Sequence, residues 1–331
     1  MSVPRRLFLA LVCCLLTAAA AACAPPAPQV SPAAAATARS GAQSPEPPYD
    51  IRPLLKPSGK YLGVAFNGSP RATAPVTAFA EKAGRQPNLR EYYAKWGDPF
   101  QADVNRAVWD AGQLPFLVWE PFSRTAAQIA DGQEDAYIRQ FADAVRDYNR
   151  PLALSFGHEM NGGWYPWGSK KTKAADFARA WRHIHDLFTD EGAADVIWVW
   201  SPNVINPVPD VRLKPYYPGD AYVDWVGVVG YYALSGPTTF RTLFGPTMKE
   251  IRRFSGKPFL IAETGVQAGE SKPAEIADLF AGVRARAGVL GLVWFNLKKE
   301  ADWRIDSGPL SLAAFRKVAA GGSFGFDVHN P

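Results

Sequence analysis

Two glutamates offer this chain of 331 residues its clearest chemistry. Glu159 closes the run Leu152-Ala-Leu-Ser-Phe-Gly-His158-Glu159, and Met160-Asn161-Gly-Gly-Trp164-Tyr-Pro-Trp167 follows it. Glu263 closes the run Pro258-Phe-Leu-Ile-Ala262. Each is a carboxyl group at the mouth of an apolar, strand-like segment, and the first is ringed by aromatic side chains. Two carboxyl groups meeting on one rim suit acid/base and nucleophilic work on a glycosidic bond. The simplest assignment makes Glu159 the general acid/base and Glu263 the nucleophile. A free glutamate, with a pKa of about 4.3, is ionised at neutral pH. The acid therefore needs burial and a negative neighbour to keep its proton. The nucleophile needs hydrogen-bond donors, and Tyr231, expected on the neighbouring strand, is a suitable one. A carboxyl separation of about 5–5.5 Å would give retention of configuration, and one of roughly 6.5–9.5 Å inversion.

Other polar and aromatic residues fall just after apolar runs. These are Trp119-Glu120-Pro121, Trp200-Ser-Pro-Asn203, Gly230-Tyr231-Tyr232, Asn296, and Asp302-Trp303-Arg304. Sugar rings present C–H faces that pack on aromatic planes, and hydroxyls that need amide and carboxylate partners. The expected substrate contacts are His158, Asn161, Trp164, Trp167, Tyr231, Trp303, Glu120 and Trp200, with Trp96 as a further stacking platform. Trp181, Trp198, Trp225 and Trp294 lie inside helix or strand patterns and are expected in the core. Asp302 and Asp306 are expected to fix their loop or to make distal contacts. His183 and His185 stand two apart on a helix pattern, face different ways and make no metal pair. No residues have zinc-ligand spacing or the calcium-loop pattern, so no metal and no cofactor is expected.

The elements that must position these residues alternate. Continuously apolar runs, as expected of parallel strands buried on both faces, lie at 61–66, 88–92, 114–119, 151–156, 196–200, 224–229, 258–262 and 291–295. Helical stripes lie between them, one through Tyr137, Ile138, Phe141 and Val145, another through Phe177, Trp181, Ile184, His185 and Phe188. Further helices are expected near 100–111, 239–254, 274–287 and 309–319. Eight strands with intervening helices point to an α/β fold, a single (β/α)8 TIM barrel, whose carboxyl-end rim gathers the residues above. The doubly wound open sheet is the rival, but Gly63-Val-Ala-Phe-Asn-Gly68 lacks the phosphate-loop spacing. No repeat with a period of 20–50 residues is visible.

The first residues read as a targeting segment. Arg5 and Arg6 precede the apolar run 7–16, and small residues follow, the order of a secretory signal over residues 1–22. Its apolar core is too short to favour a membrane span. Cys23, opening Cys-Ala-Pro-Pro, resembles the lipidated cysteine of a bacterial lipoprotein. Ordinary cleavage near the same point is the alternative. The expected location is therefore extracellular, or membrane-anchored through that lipid alone. Residues 23–48, rich in Pro and Ala, are expected to form a disordered tether, and 49–331 the folded domain. Cys13 and Cys14 belong to the signal, so the domain has no cysteine and no disulfide or thiol chemistry. The formal charge is +5, or +3 without Arg5 and Arg6, with no long basic run. A polysaccharide is the expected partner rather than nucleic acid. A monomer is expected.

The motif His158-Glu159-Met-Asn161-Gly-Gly-Trp164-Tyr-Pro-Trp167 resembles the acid/base segment of glycoside hydrolase family 26. Ile261-Ala-Glu263-Thr-Gly265 resembles that family's nucleophile strand. Asn88-Leu-Arg-Glu-Tyr-Tyr93, Tyr216-Tyr-Pro-Gly-Asp220-Ala-Tyr-Val-Asp224-Trp-Val-Gly227 and Trp294-Phe-Asn296…Asp302-Trp-Arg304 are also similar to its members. The resemblance implies a retaining barrel with acid/base and nucleophile on strands four and seven. It implies an endo-β-1,4-mannanase-like activity, with mixed-linkage or other β-glucan as the alternative substrate. His158 would then contact the sugar beside the cleaved bond, Trp164 and Trp303 would line that subsite, and Tyr231 would touch the nucleophile. One position departs from the pattern. Many mannanases of the family carry Arg four residues before the acid/base, where this chain has Ser155. A glycan-binding lipoprotein without catalysis, built on the same barrel, is the rival from another class.

Overall fold

A computed structural model describes residues 47–331. The expected signal (1–22), Cys23 and the tether as far as residue 46 lie outside the described residues. Among the described residues no helix is long and apolar enough to cross a membrane.

Eight parallel strands close into a barrel in sequence order. In chain order the elements are α1 (Arg52–Leu55), β1 (Tyr61–Ala65), α2 (Ala74–Ala83), β2 (Leu89–Lys95), α3 (Ala102–Asp110), β3 (Leu114–Glu120), α4 (Ala126–Ala130) and α5 (Asp135–Tyr148). There follow β4 (Leu152–Phe156), α6 (Ala174–Asp190), β5 (Val196–Trp200), β6 (Trp225–Val229), α7 (Phe240–Leu243), α8 (Gly245–Ile251), β7 (Phe259–Thr264), α9 (Lys272–Arg284), β8 (Val289–Phe295) and α10 (Pro309–Ala319). All eight expected strands are present. β2 runs three residues further than its weak apolar signal suggested. The single helix expected over 239–254 is two, because Pro246 has no N–H for the helical ladder and its ring crowds the preceding turn. α1 and α4 have five residues or fewer, too short for an apolar stripe to register. The alanine-rich α2 was also not anticipated.

The two-residue period of each strand divides the core. Leu62 and Val64 face the helical layer, while Tyr61 and Ala65 face the barrel interior. The interior is packed rather than open, with Phe116, Val118, Ile197, Val199, Trp225 and Leu260 filling it. Leu54, Phe326 and Val328 join this interior cluster, and the Tyr61 hydroxyl donates to the Leu54 carbonyl at 2.9 Å. The helices bury single stripes against the outer face. Ile138, Phe141, Ala142 and Val145 of α5 are buried, and its C-terminus stops at Asn149 in the left-handed region, φ 48°.

One irregularity matters for the site. Leu260 and Ala262 of β7 face inward, so strict alternation would turn Glu263 outward. The pairing with β6 slips instead, from Gly227 opposite Leu260 to Val229 opposite Glu263. The extra residue in β7 re-aims Glu263 to the interior side, as bulges beside active sites do.

Candidate active site

The carboxyl ends of the strands gather the candidate residues on one rim. Directly after β4 the backbone turns sharply. Gly157 has φ 56° and Glu159 φ 54°. A Cβ on Gly157 would lie 2.9 Å from the Phe177 ring, so glycine is required there by space as well as by conformation. The left-handed Glu159 costs on the order of 1–3 kcal/mol. Its N–H donates to the Ser201 carbonyl at 2.6 Å, which ties the turn to the end of β5.

The Glu159 carboxyl is held from two sides. The Trp164 indole N–H donates to Oε2 at 2.8 Å, and the Asn203 amide donates to Oε1. Asn203 is itself clamped. Its N–H donates to Asn161 Oδ1 at 2.8 Å, and Asn161 Nδ2 donates to its carbonyl at 2.9 Å. Burial, followed by the negative charge of Glu263, pushes the Glu159 carboxyl up to about 7, against the pull of Asn203 and Trp164. Asn203→Ala would remove one donor to the carboxylate form. The expected result is a further rise in the Glu159 pKa of about one unit, followed by NMR titration of carbon-labelled glutamate side chains.

Glu263 is 8% exposed and sits among hydroxyl donors. Tyr231 donates to Oε1 and Tyr93 donates to Oε2. Burial raises this carboxyl, while the two phenols and then the Lys299 charge lower it. The electrostatics of the group are asymmetric. The Glu263 charge raises Glu159, Glu120 and Glu91, whereas none of those three is among the leading influences on Glu263. Burial thus raises both carboxyls, Glu159 to about 7, and Glu263 is the one that two phenol donors and the Lys299 charge pull back down.

The remaining candidates divide. His158 is buried, with Nε2 3.2 Å from the Tyr165 hydroxyl. Burial, then Lys299, pushes its imidazole down to about 3, so the ring is neutral. Trp164 stands at the surface, 46% exposed. Trp303 packs on Tyr231 with centroids 4.7 Å apart. Glu120, partly buried at the end of β3, is pushed up to about 7 by burial and by Glu263, against Lys299 and Lys95.

Four expected contacts are not presented to a groove. Asn161 is fully buried, and the bonds described above spend its amide on Asn203. Trp167 is 1% exposed, and its indole N–H donates to the His158 carbonyl at 2.6 Å. Trp200 is wholly buried in the outer cluster, edge-on to Tyr217 at 5.0 Å, because its strand position faces the helices. Trp96 stacks on Trp119 at 4.4 Å and donates to Glu134, so it too is core. Asp302 fixes its loop as expected, accepting from the Arg304 guanidinium at 2.6 and 2.8 Å.

Two site residues, Tyr93 and Glu91, were not anticipated, and Asn203 was expected on the rim without a role. Tyr93 and Asn203 bind the two carboxyl groups. Glu91 is a further buried carboxyl, set between Ala65 and Phe116 in the strand pairing, and burial followed by Glu263 and Glu159 holds it well above the usual carboxylate range. Alternation in β2 would have found both Glu91 and Tyr93, since they share the inward face with Leu89. Ser155, the position that departs from the resemblance, donates to the Ser201 hydroxyl at 2.8 Å.

Comparisons with known proteins agree with this architecture. The family model for glycosyl hydrolase family 26 matches residues 129–248. Endoglucanase H of Acetivibrio thermocellus is 31% identical over 280 residues, which is 80% of this chain and 31% of that protein. A mannan endo-1,4-beta-mannosidase of Bacillus subtilis is 28% identical over 147 residues, 40% of this chain and 36% of its own length. The chain thus spans about a third of the length of these curated relatives. Among solved structures, a GH26 beta-mannanase from Bacteroides ovatus superposes with a TM-score of 0.60 at 16% identity, covering 83% of this chain and 92% of that one. The catalytic domain of a Bacillus sp. JAMB-750 GH26 endo-beta-1,4-mannanase gives 0.62 at 17%, covering 82% and 88%. At such identities the structures speak for the fold, and the sequence matches make the chain similar to glycosyl hydrolase family 26 across residues 129–248.

Proposed function

We propose that this protein is an exported, retaining endo-glycosidase that cuts β-1,4 bonds of a polysaccharide, with β-mannan the leading substrate. The observation that carries the reading is the unequal surroundings of the pair: Glu263 accepts from two phenols, whereas Glu159, held by Trp164 and Asn203, is pushed up to about 7. Glu263 attacks the anomeric carbon while Glu159 passes its proton to the leaving oxygen. The glycosyl ester then neutralises Glu263, and the charge of the pair passes to Glu159. Water attacks the ester, Glu159 takes its proton, and both side chains return to their starting states. Trp164 and Trp303 flank the sugar at the cleaved bond, with Tyr231 beneath. His158 contacts the sugar beside the cleaved bond, and Glu120 meets the next one. Asn161 and Trp167 act one step back, holding Asn203 and His158.

The leader at 1–22, lipidation at Cys23 and the tether to residue 48 remain part of this reading, with 49–331 as the catalytic domain acting as a monomer.

A second reading, mixed-linkage or other β-glucan, is favoured by two observations. The relative matched over most of this chain is named an endoglucanase, and Ser155 stands where many mannanases carry Arg. Release of reducing ends from galactomannan, glucomannan, barley β-glucan and soluble cellulose decides between them. Mannan-type substrates are expected to be cleaved fastest. A preference for barley β-glucan would establish the second reading. Binding to a glycan without any cleavage would establish the non-catalytic one.

A further inference from the structure

Among the described residues only a few large apolar side chains are exposed: Tyr93, Phe122, Trp164, Leu234 and Leu310. Tyr93 and Trp164 end on the two carboxyl groups. Phe122 has no such role, yet it is 47% exposed on the same rim. It follows β3 directly, its N–H donating to the Glu120 carbonyl at 2.9 Å, so the chain turns at once and lifts the ring above the strand end.

The ring does not stand alone. It meets Trp167 edge-on, centroids 4.9 Å apart at 71°, and Tyr165 at 6.2 Å and 75°. Those two rings are stacked, 4.5 Å apart and 8° from parallel. Tyr165 lies 4.8 Å from the His158 ring, and His158 lies 5.9 Å from Tyr93, whose hydroxyl ends on Glu263. An unbroken wall of rings therefore runs from the Glu263 carboxyl outward, and Phe122 is its far end. The wall is anchored, because the Trp167 indole is bound to the His158 backbone. A ring held edge-on by a fixed neighbour gives up little freedom when something packs on it.

We propose that Phe122 is a stacking platform for a neutral pyranose unit of the polysaccharide, remote from the linkage being cleaved. This rests on the glycosidase reading above. Scattered single apolar residues on a surface carry no meaning, but this one continues the aromatic wall of the candidate groove and adjoins Glu120, whose carboxyl suits the hydroxyls of the same chain. The occupant is a sugar ring rather than an apolar partner, because the wall joins the carboxyl pair without a break.

The test uses the full domain with Phe122→Ala and Phe122→Tyr, and oligosaccharides of increasing length from whichever backbone the parent cleaves. The ratio of kcat/KM for the longest to that for the shortest cleaved oligosaccharide is expected to fall about tenfold with Ala, the effect of uncovering half an aromatic side chain. The Tyr variant is expected to restore the ratio. Binding of long oligosaccharides by Glu263→Gln is expected to weaken by a similar factor when Phe122→Ala is added. An unchanged ratio, or an equal loss at every length, would overturn the proposal, the latter marking Phe122 as a mere cover for Trp167. If the parent cleaves nothing, the glycosidase reading fails by itself, and the binding comparison still decides for or against Phe122.

Discussion

Glu263→Gln is expected to lower turnover by about 10⁵-fold, comparable with the loss of a nucleophile in other covalent mechanisms. The substitution keeps the shape of the side chain and one acceptor for the Tyr231 and Tyr93 hydroxyls. It removes the electron pair that forms the glycosyl ester. Polysaccharide binding is expected to persist, since the aromatic wall and the exposed Trp164 are untouched. The variant also removes the charge that raises its neighbours, so the pKa of Glu159 is expected to fall from its value of about 7. Initial rates and affinity electrophoresis measure the two effects. Loss of binding in parallel with loss of rate would mean that Glu263 holds substrate instead of attacking it.

The second large effect is expected from Glu159→Ala, about 10²- to 10⁴-fold on polysaccharide, the range for a positioned general acid. The loss is expected to depend on the leaving group. An aryl glycoside whose phenolate leaves unaided would form the glycosyl ester at a rate near the parent's and then stall, because no base activates water. Added azide would attack that ester and release a glycosyl azide of retained configuration. The pH dependence has a definite sign. The parent needs Glu159 protonated, so kcat/KM is expected to decline as pH rises through about 7. The variant should lack that alkaline limb.

The same group ties stability to pH. Its folded pKa lies above the usual 4.5, so its favourable contribution is complete below 4.5 and lost as pH rises through about 7. Replacing Glu159 by Gln is therefore expected to raise the melting temperature at pH 8 more than at pH 4. A site shaped for chemistry commonly gives up stability in this way.

Much of the architecture was legible because it depends on periodicity. Parallel strands buried on both faces leave continuous apolar runs, and the runs ending in Trp119, Phe156 and Ala262 mark where the rim begins. The two carboxyl groups were legible because each stands at such an end. Which way a residue faces was less so. Trp200 reads as a rim aromatic in the sequence, but it lies on the outer face of β5 and is packed beneath Tyr217. Tyr93 was missed for the converse reason: Arg90 and Glu91 interrupt the apolar run, so β2 seemed to stop early. The inward turn of Glu263 depends on a slip in pairing between β6 and β7, which single-strand patterns do not record. The clamp of Asn161 on Asn203 joins residues 42 positions apart, and only the closed barrel brings them together.

The most direct test of the account is chemical trapping of the glycosyl ester. A 2-deoxy-2-fluoro glycoside of the cleaved sugar, with a good leaving group at the anomeric carbon, should form the ester and react onward slowly. Proteolysis and mass spectrometry should then find one sugar per chain, attached to the peptide containing Glu263. A sugar carried instead by Glu159, Glu120 or Glu91, or a protein that turns over this reagent without ever being labelled, would contradict it.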